Sequence, residues 1–458
     1  MADTSPAPAS PPVATPDQTR ARVRKGLARR HRAEMIFRGL GLAGIVLALG
    51  FVAILFTTIL SKGLPAFQQA YVMLEVHYDP EVIDVEPAPQ RADFASEAEF
   101  RGASLAWQRQ VAMLNWNVIV ERAVRNVAPE GYEIDTRQVQ SIVETSERLA
   151  IRDRFVRDPG LLGQTVPIEV LASANVDNWL KGTINRSLGD AQQQLSAPAR
   201  ALADQLLEEG VIRFGFSWSI FTNVDSRAAP ASAGLAGAFM GSLYMLLIVI
   251  VLAVPIGVAS AIYLEEFAPR SRLTDLIEVT INNLAAVPSI VFGLLGAAAF
   301  INYFRLPLSA PIAGGLVLTL MTLPTIIIAT RAALKGVPPS LRQAALGLGA
   351  SRTQMVFHHV LPVTFPSILT ATIIGVAQAL GETAPLLLIG MNAFVASIPS
   401  TPFDQASALP VQIYLWQGNE NRNFFEARTS AAIIVLLSLM IVLNAVAIFL
   451  RSRLERRA

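Results

Sequence analysis

The stretch PPSLRQAALGLGASRTQMVFHHVLP, at residues 338–362, lies between two long uncharged runs of the chain. Its spacing predicts two short helices joined by a glycine. Ser340 and Gln343 are spaced as in a capping box, in which a serine and a glutamine each bond the other's backbone N–H group, and the same Ser-x-x-Gln spacing recurs in the second half. Gly349 stands at the joint, where a sharp turn favours positive φ, and Pro362 is expected to end the second helix. The stretch is therefore predicted to be a helical hairpin.

The hairpin is predicted to have small side chains and a basic surface. Ala344, Ala345 and Gly349 allow close approach of another backbone, and the segment carries Arg342 and Arg352 but no acid. We therefore expect it to lie in a groove on another protein, one lined by acidic groups or carbonyl oxygens.

Six uncharged runs are long enough to cross a bilayer, which takes about 20 residues in a helix. The composition is 52% hydrophobic and only 16% charged. Together these features predict a polytopic α-helical membrane protein with six transmembrane helices. The runs are 39–61, 237–264 within a longer uncharged stretch, 279–304, 306–330, part of 353–381, and 429–450.

Basic residues predict the orientation of these helices, because cytoplasmic segments carry an excess of Lys and Arg. Residues 1–35 are expected to form a disordered basic tail, and an uncleaved transmembrane helix at 36–61 follows it. When six crossings are counted, the hairpin and a basic tail at 451–458 fall on the same side as this N-terminal tail. Both termini and the hairpin are therefore predicted to be cytoplasmic.

Residues 62–236 are then predicted to form a domain on the opposite, periplasmic side, between the first and second transmembrane helices. Alternating and periodic segments predict an α+β fold, which serves either as a docking or regulatory module or as a structural insert. Its predicted strands are 71–77, 166–171 and 211–217, and its predicted helices lie near 93–127, 136–152 and 187–209.

The composition also excludes several kinds of site. The chain has no cysteine and only four histidines, so disulfides and thiol–metal sites are excluded and no metal site is expected. It contains no Walker A loop, so any ATP used must be bound by a partner. Acidic residues are in excess in the segment 61–235, and basic residues are in excess in the rest of the chain. This separation of charge indicates membrane topology and not nucleic-acid binding.

The hairpin resembles the EAA loop of ATP-binding-cassette (ABC) importer permeases. Six residues stand at matching positions, although a glutamine replaces the family's glutamate and His359 replaces its isoleucine. The resemblance implies that this hairpin, with Ser340 at its start, couples to an ATPase subunit. The matching residues are Gln343, Ala344, Ala345, Gly349, Leu361 and Pro362.

One acid, Glu382, falls at the border of a predicted span. Charges at membrane depth are costly and usually face the bundle interior or a water-filled path. The spacing places Gly375, Gln378, Glu382 and Pro385 on one helical face, which predicts a polar lining of the translocation path. The alternative places Glu382 near the outer end of its span, among lipid headgroups and water.

A second stripe combines small and polar residues at helical spacing. Asn282, Ala286, Ser289, Gly293 and Gly296 are predicted to share one face that packs against another helix, with Asn282 and Ser289 as candidate contacts for a solute.

One arginine ends the fourth uncharged run. Arg331 either attracts an oxyanion or reflects the positive-inside rule alone.

Four further segments resemble PstA-type phosphate permeases over about residues 236–450. The segment 381–387 reads GETAPLL and includes Glu382 and Thr383. The others are Ala286–Val291 with Gly293, Gly241–Leu243, and Leu409–Tyr414. The domain at 62–236 is similar to an extra domain found in a subset of these permeases.

This resemblance implies a type I ABC importer permease fold over 237–450, with five of the transmembrane helices, in the bacterial inner membrane. It implies that Glu382 accepts a hydrogen bond from phosphate or pairs with an arginine of a sister subunit. The chain itself would bind no cofactor and catalyse no reaction, because ATP and Mg²⁺ lie on the partner. The implied partners are a PstC-type permease subunit, a PstB-type ATPase dimer, a periplasmic phosphate-binding protein, phosphate and membrane lipid, with no nucleic acid.

Three other functions are consistent with parts of the sequence. An importer of another oxyanion, such as molybdate or sulfate, would share the hairpin but not the GETAPLL segment. A membrane sensor would carry a cytoplasmic output domain. An ion-coupled secondary transporter would show ion sites within the membrane and commonly inverted repeats.

Overall fold

The computed structural model describes residues 16–129, 136–419 and 422–455, and the chain divides into two compact units, Met1–Ile59 and Leu60–Ala458. Helix α1 runs over Pro16–Gly63, and the segment Arg30–Phe67 is long and apolar enough to cross a membrane. The predicted disorder is therefore wrong for residues 16–35. This stretch is rich in Ala and Arg, which favour helices, and has no proline after Pro16. The rest of the predicted tail, residues 1–15, lies outside the described residues.

An α+β insert domain, residues 64–235, follows α1. Its three predicted strands are present as β1 (Gln68–His77), β2 (Thr165–Leu171) and β3 (Ile212–Phe216). They form an antiparallel sheet in the order β2-β1-β3. Alternate residues of β1 are fully buried, because successive side chains of a strand point to opposite faces.

Helices cover the buried face of this sheet. Tyr78 stacks on Phe155 at a centroid distance of 5.9 Å, and Trp116 lies 5.8 Å from the same ring. The helix predicted at 187–209 begins only at Ala197, where Ser196 caps it by accepting the Ala199 N–H at 3.4 Å. The helices of the domain are α2 (Glu97–Met113), α3 (Trp116–Val127), α4 (Thr136–Ile142), α5 (Glu147–Arg157), α6 (Ala174–Leu180), α7 (Ala197–Glu208) and α8 (Ser219–Thr222).

A half-buried carboxyl group makes the stability of this domain depend on pH. Desolvation of the carboxyl group and, to a smaller extent, the nearby charge of Glu144 raise the pKa of Glu147, in the first turn of α5, to about 7, although hydrogen bonds to the carboxylate oppose this shift. Between the ordinary pKa of 4.5 and about 7, the folded state keeps a proton that the unfolded state has lost. Stability therefore falls as the pH rises through this window, and the loss is complete above it.

We expect Glu147→Gln to raise the free energy of unfolding by about 1–2 kcal/mol at pH 8 and to leave it unchanged at pH 5. The measurement is thermal unfolding of the full chain in detergent, followed by tryptophan fluorescence at both pH values. Glu81→Gln, at an exposed position, is the matched control and should have no effect at either pH. Equal stabilisation by Glu147→Gln at pH 5 and pH 8 would contradict the assignment.

The remaining helices belong to the membrane-embedded part. Among the described residues, five helices of the whole chain can cross a membrane, or six if one bent pair is counted as a span. After the insert domain the chain alternates long helices with shorter ones. In chain order these helices are α9 (Ala236–Ile262), α10 (Arg272–Ala285), α11 (Ser289–Gly296), α12 (Pro311–Lys335), α13 (Pro339–Gly347), α14 (Arg352–Met355), α15 (Leu361–Gly381), α16 (Ala384–Leu388), α17 (Leu409–Gln417) and α18 (Arg422–Glu455).

The predicted single span at 279–304 is wrong in shape. It is broken into α10 and α11, which are bent by 101°. Proline has no N–H group to donate and restricts the residue before it to extended conformations, so Val287 and Pro288 cannot continue the helix. After α11 the chain forms a π-helical segment, Ala297–Tyr303.

The hairpin and the insert domain lie at opposite ends of α9. At its start, Leu235 and Ala238 pack with Ile220 and Ala233 of the insert domain. At its end, Ile262 packs with hairpin residues such as Met355 and Val356. The hairpin and the insert domain are thus separated by the length of α9, a helix long and apolar enough to cross a membrane.

Arg428 of α18 joins the insert domain to the membrane helices. Its side chain is fully buried and donates to the carbonyl oxygens of Ala231, at 2.7 Å, and of Ala233. The guanidinium also donates to Gln69 Oε1 of β1 at 3.3 Å. The Nε2 of Gln69 donates in turn to the same Ala231 carbonyl oxygen, at 2.6 Å. Unpaired buried polar groups are costly, so these bonds hold β1, α18 and the segment leading into α9 as one block.

Candidate functional site

The hairpin has the predicted shape of two helical segments joined at a glycine. It differs from the prediction at Pro339 and Pro362 and at the first helix cap. Gly349 adopts φ +89° at the joint, and Ser351 and Gln354 form a capping box, with the Ser351 N–H donating to Gln354 Oε1 at 2.9 Å. The first predicted capping box is wrong. Helix α13 begins at Pro339, so Ser340 lies inside its first turn and makes no cap bond.

The second helix of the hairpin does not end at Pro362. A π-helical turn, Val356–Val360, follows α14, and α15 begins at Leu361 with Pro362 in its first turn. Proline is tolerated in a first turn because its missing N–H needs no partner there. The segment Arg352–Gly381 therefore runs from the hairpin directly into a membrane span.

Ion pairs fasten the hairpin to the ends of the membrane helices. The Arg342 guanidinium donates to Glu266 Oε1 at 2.8 Å and to the carbonyl oxygens of Leu334 and Val337 at 2.8 and 2.7 Å. The Glu266 side chain is only 6% exposed. This anchor was missed from the sequence, where two acids directly after the apolar run 237–264 were the available signal.

A second ion-pair group holds Arg331. Its guanidinium contacts Glu278 Oε1 of α10 at 2.8 Å and Glu265 Oε2 at 3.4 Å. The positive charge of Arg331 is thus balanced within the chain, in contrast to the free oxyanion contact considered from the sequence.

Only part of the predicted coupling face is exposed. Gln343, Ala344 and Gly349 are exposed, and Leu348 at the tip is 91% exposed. Ala345 instead packs into a cluster of the hairpin's own apolar residues, so its small size serves the internal packing. Ser340 is exposed, and Leu361 and Pro362 are half-buried.

The GETAPLL segment marks the end of a membrane helix. Helix α15 ends at Gly381, and Glu382 follows in an extended conformation with ψ 133°. The predicted common face is wrong, since Gly375 and Pro385 are buried whereas Gln378 is exposed. A proline clashes with the carbonyl of the residue four positions earlier, so Pro385 prevents α15 from continuing. Within the described residues, Glu382 has no ion-pair partner, and Thr383 lies beside it, half-buried.

The small residues of the resembling segments bring those segments together. A Cβ atom at Gly293 would lie 2.7 Å from Pro385 Cα of GETAPLL, and one at Gly241 would lie 2.1 Å from Ser407 O. Beside Gly241, Ser242 Oγ accepts the N–H of Leu409 at 2.9 Å. Residues more than 90 positions apart in the sequence are thus in direct contact.

The predicted polar stripe is divided by the bend between α10 and α11. Gly293 and Gly296 pack closely, as predicted, and a Cβ at Gly296 would lie 2.1 Å from Val317 Cγ2. Asn282 is instead exposed on α10, and Ser289 is half-buried at the start of α11.

The structure does not bring all the predicted path residues together. Gly375 of α15 faces Thr322 and Ile326 of α12, which runs antiparallel to it. Glu382 follows Gly375 along the chain and Arg331 follows Ile326, so the two residues lie on opposite sides of this contact along the helix axes. At 1.5 Å per residue, the two are roughly 20 Å apart along the helix axes.

Residues 253–458 match the family described as binding-protein-dependent transport system inner membrane component. The chain belongs to this family. Residues 24–190 also match a domain of unknown function, DUF3333. That match ends before β3, which completes the sheet of the insert domain.

Two relatives are similar over most of their own length. A probable ABC transporter permease protein YqgI of Bacillus subtilis (strain 168) is 31% identical over 46% of this chain and 75% of the relative. The phosphate transport system permease protein PstA 1 of Mycobacterium tuberculosis (strain CDC 1551 / Oshkosh) is 30% identical over 49% of this chain and 73% of the relative. An inward-facing MetNI methionine ABC transporter structure matches 47% of this chain and 94% of its own, at 19% identity and a TM-score of 0.36.

The predicted resemblance to PstA-type permeases and the predicted ABC permease fold are therefore confirmed. This family member is a multi-pass permease subunit of an ABC importer.

Proposed function

We propose that this permease carries inorganic phosphate across the bacterial inner membrane, using ATP hydrolysed by a partner subunit. The observation that carries the proposal is the similarity to a phosphate transport system permease over 73% of that protein. It is supported by the packing of GETAPLL against α11, where Gly293 lies beside the buried Pro385.

The hairpin is the proposed contact with the ATPase. Leu348 and Ala344 present a small apolar tip that is exposed to solvent, and a contiguous exposed apolar surface commonly marks a protein interface. Because the hairpin continues without interruption into α15, closure of an ATPase dimer around bound ATP and Mg²⁺ would move α15 and the GETAPLL segment at its end. This chain itself binds neither ATP nor metal in the proposed mechanism.

Glu382 is the proposed contact for the solute. Its segment packs near Gly314, against which both Leu386 and Met245 lie. Met245 is nine residues into α9, about 13 Å from its start, and this contact of the neighbouring Leu386 supports the proposal. Phosphate keeps one donor hydroxyl at neutral pH, and a carboxylate is a strong acceptor for it. Gln378, Thr383, Asn282 and Ser289 are the proposed polar groups elsewhere along the path.

The proposed assembly places the hairpin and both termini in the cytoplasm and the insert domain in the periplasm. Charge supports this orientation, since basic residues dominate the hairpin and the terminal tails. The proposed partners are a PstC-type permease, a PstB-type ATPase dimer and a periplasmic phosphate-binding protein.

The test is purification of the intact complex through a tag on this subunit, followed by reconstitution into vesicles. Mass spectrometry should identify a second permease and an ATPase, and added ATP and binding protein should drive uptake of labelled phosphate. Sulfate and molybdate are the matched competing solutes and should not be taken up. Transport of either in place of phosphate, or phosphate uptake with the ATPase deleted, would overturn the proposal.

A further inference from the structure

One corner of the insert domain exposes an aromatic patch. The patch consists of five residues, Phe67, Phe214, Phe216, Trp218 and Phe221, and the last four are 42%, 46%, 66% and 44% exposed. The rings of four of them pack on one another, with centroid distances of 6.0 Å for Phe67–Phe221, 6.1 Å for Phe216–Phe221 and 4.9 Å for Phe216–Trp218, and Phe214 lies two residues before Phe216 on β3. The patch is therefore one contiguous surface.

The sheet explains why this corner is uncovered. Side chains at alternate positions of a strand share one face, so Phe214 and Phe216 of β3 share the face of Ile212. Ile212 belongs to the core that the helices cover, whereas the other two extend beyond it. Strand β3 is also at the edge of the sheet, and an exposed apolar edge strand promotes aggregation unless it is covered.

The position of the patch identifies what covers it. Phe67 lies four residues after the end of α1, where Gly63 packs against Ser430 and Ile434 of α18. On the other side, Phe221 lies fifteen residues before α9 begins at Ala236. The patch thus lies where the chain leaves and re-enters the membrane. Aromatic residues, and tryptophan above all, are enriched at this level of membrane proteins.

An apolar groove continues from the patch along the membrane helices. Its volume is about 600 Å³, within the range of about 300–1,000 Å³ of ligand-sized clefts. Its lining has no charged side chain and includes Phe67 and Phe221 of the patch. The other lining residues come from the end of the insert domain, α9 and α18: Ile220, Leu235, Ala236, Phe239, Ile434, Val435, Ser438, Leu439 and Val442.

We propose that the aromatic patch rests in the headgroup region of the leaflet nearest the insert domain, with a phospholipid acyl chain in the adjoining groove. The groove reaches Val442, an apolar side chain of α18 that is 60% exposed. Helix α18 is long and apolar enough to cross a membrane, and the apolar groove lining suits an acyl chain. Together with the Arg428 junction, this contact holds the insert domain at a fixed height and tilt above the membrane. The far end of β1, ten residues long, then stands about 30 Å further out.

The chain has no cysteine, so single cysteines can report the local environment without background. Trp218→Cys, Phe214→Cys and Ser438→Cys are each labelled with a nitroxide in the full chain, reconstituted into phosphatidylethanolamine–phosphatidylglycerol vesicles. Leu162→Cys is the matched control. Its apolar side chain is 40% exposed, but it lies beside Gly163, which bonds Tyr78 at the far end of the sheet.

Collision rates with oxygen, which concentrates in lipid, and with a water-soluble nickel chelate test the proposal. Labels at 214, 218 and 438 should collide several-fold more with oxygen than with nickel, and the label at 162 should show the reverse. The same collision pattern at 218 as at 162 would overturn the proposal. A label at 218 shielded from both reagents would also overturn it, since a protein surface would then cover the patch.

A second measurement uses the unmodified side chain. Lipids brominated near the headgroup should quench tryptophan fluorescence in the wild-type chain more than in Trp218→Phe. Equal quenching of both chains would contradict a lipid contact at Trp218.

Discussion

Glu382→Gln is expected to lower phosphate uptake by about tenfold or more, or to abolish it, while the complex still assembles. Glutamine has nearly the same size and shape but lacks the charge. Hydrogen bonds to charged groups are worth about 1.5–3 kcal/mol, and each 1.4 kcal/mol is about tenfold in an equilibrium constant. Within the described residues no ion pair engages Glu382, so its charge is available to a solute or to a sister subunit.

The measurement is uptake of labelled phosphate by vesicles that contain the whole complex, with assembly followed by co-purification. Glu426→Gln is the matched control. That carboxylate pairs with Lys62 at 2.6 Å and both side chains are half exposed, and surface pairs contribute about 0–1 kcal/mol. Unchanged uptake by Glu382→Gln would end its assignment to the path. Loss of assembly would favour pairing with an arginine of the sister subunit.

Reversal of the hairpin anchor, Arg342→Glu, should uncouple ATP hydrolysis from transport and reduce uptake by about tenfold or more. Removal of this guanidinium leaves Glu266 buried without its ion-pair partner. It also takes one donor from the carbonyl oxygen of Val337 and one from that of Leu334, which still accepts the Val337 N–H at 3.2 Å. Breaking a buried ion pair in this way costs about 3–5 kcal/mol, which is enough to detach the hairpin from α9 and α12.

The reciprocal change separates this role from general damage. Glu266→Arg alone should cause a similar loss, and the double variant should recover part of the uptake, because the charges again match although the carbonyl bonds do not. Arg270→Glu, at an exposed position on the same side, is the control and should retain uptake. Wild-type uptake by Arg342→Glu, or a double variant no better than either single one, would contradict the coupling role of the anchor.

The sequence was informative wherever a short segment determines its own structure. The length of an apolar run decides whether a helix can cross a bilayer, and the spans appeared close to the expected positions. The same is true of the strands of the insert domain, of Gly349 with its positive φ, and of the Ser351 cap. Each depends on the residue types of a few neighbours and on the surrounding solvent.

Predictions from local spacing were less reliable where a capping or periodicity rule competes with the effect of a proline. Ser340 has capping spacing, but Pro339 already occupies the first helical position. Periodicity through Pro288 and Pro385 predicted continuous faces, whereas the missing N–H and the proline ring end the helices there. At Pro362 the π-helical turn before it allowed the helix to continue, which no spacing rule indicated.

The contacts between distant segments were decided by the tertiary structure alone. The pairing of Arg342 with Glu266, of Arg331 with Glu278, and of Arg428 with the carbonyls before α9 joins residues separated by 53 to 197 positions. Such pairs depend on how closely α9, α12 and α18 approach, which is set by packing at small residues such as Gly257 and Gly315. The sequence by itself determined that this chain is a membrane permease with a glycine-jointed helical hairpin between two spans. Only the fold decided which charges are neutralised internally and that Glu382 has no ion-pair partner within the described residues, because electrostatic pairing depends on distance in space.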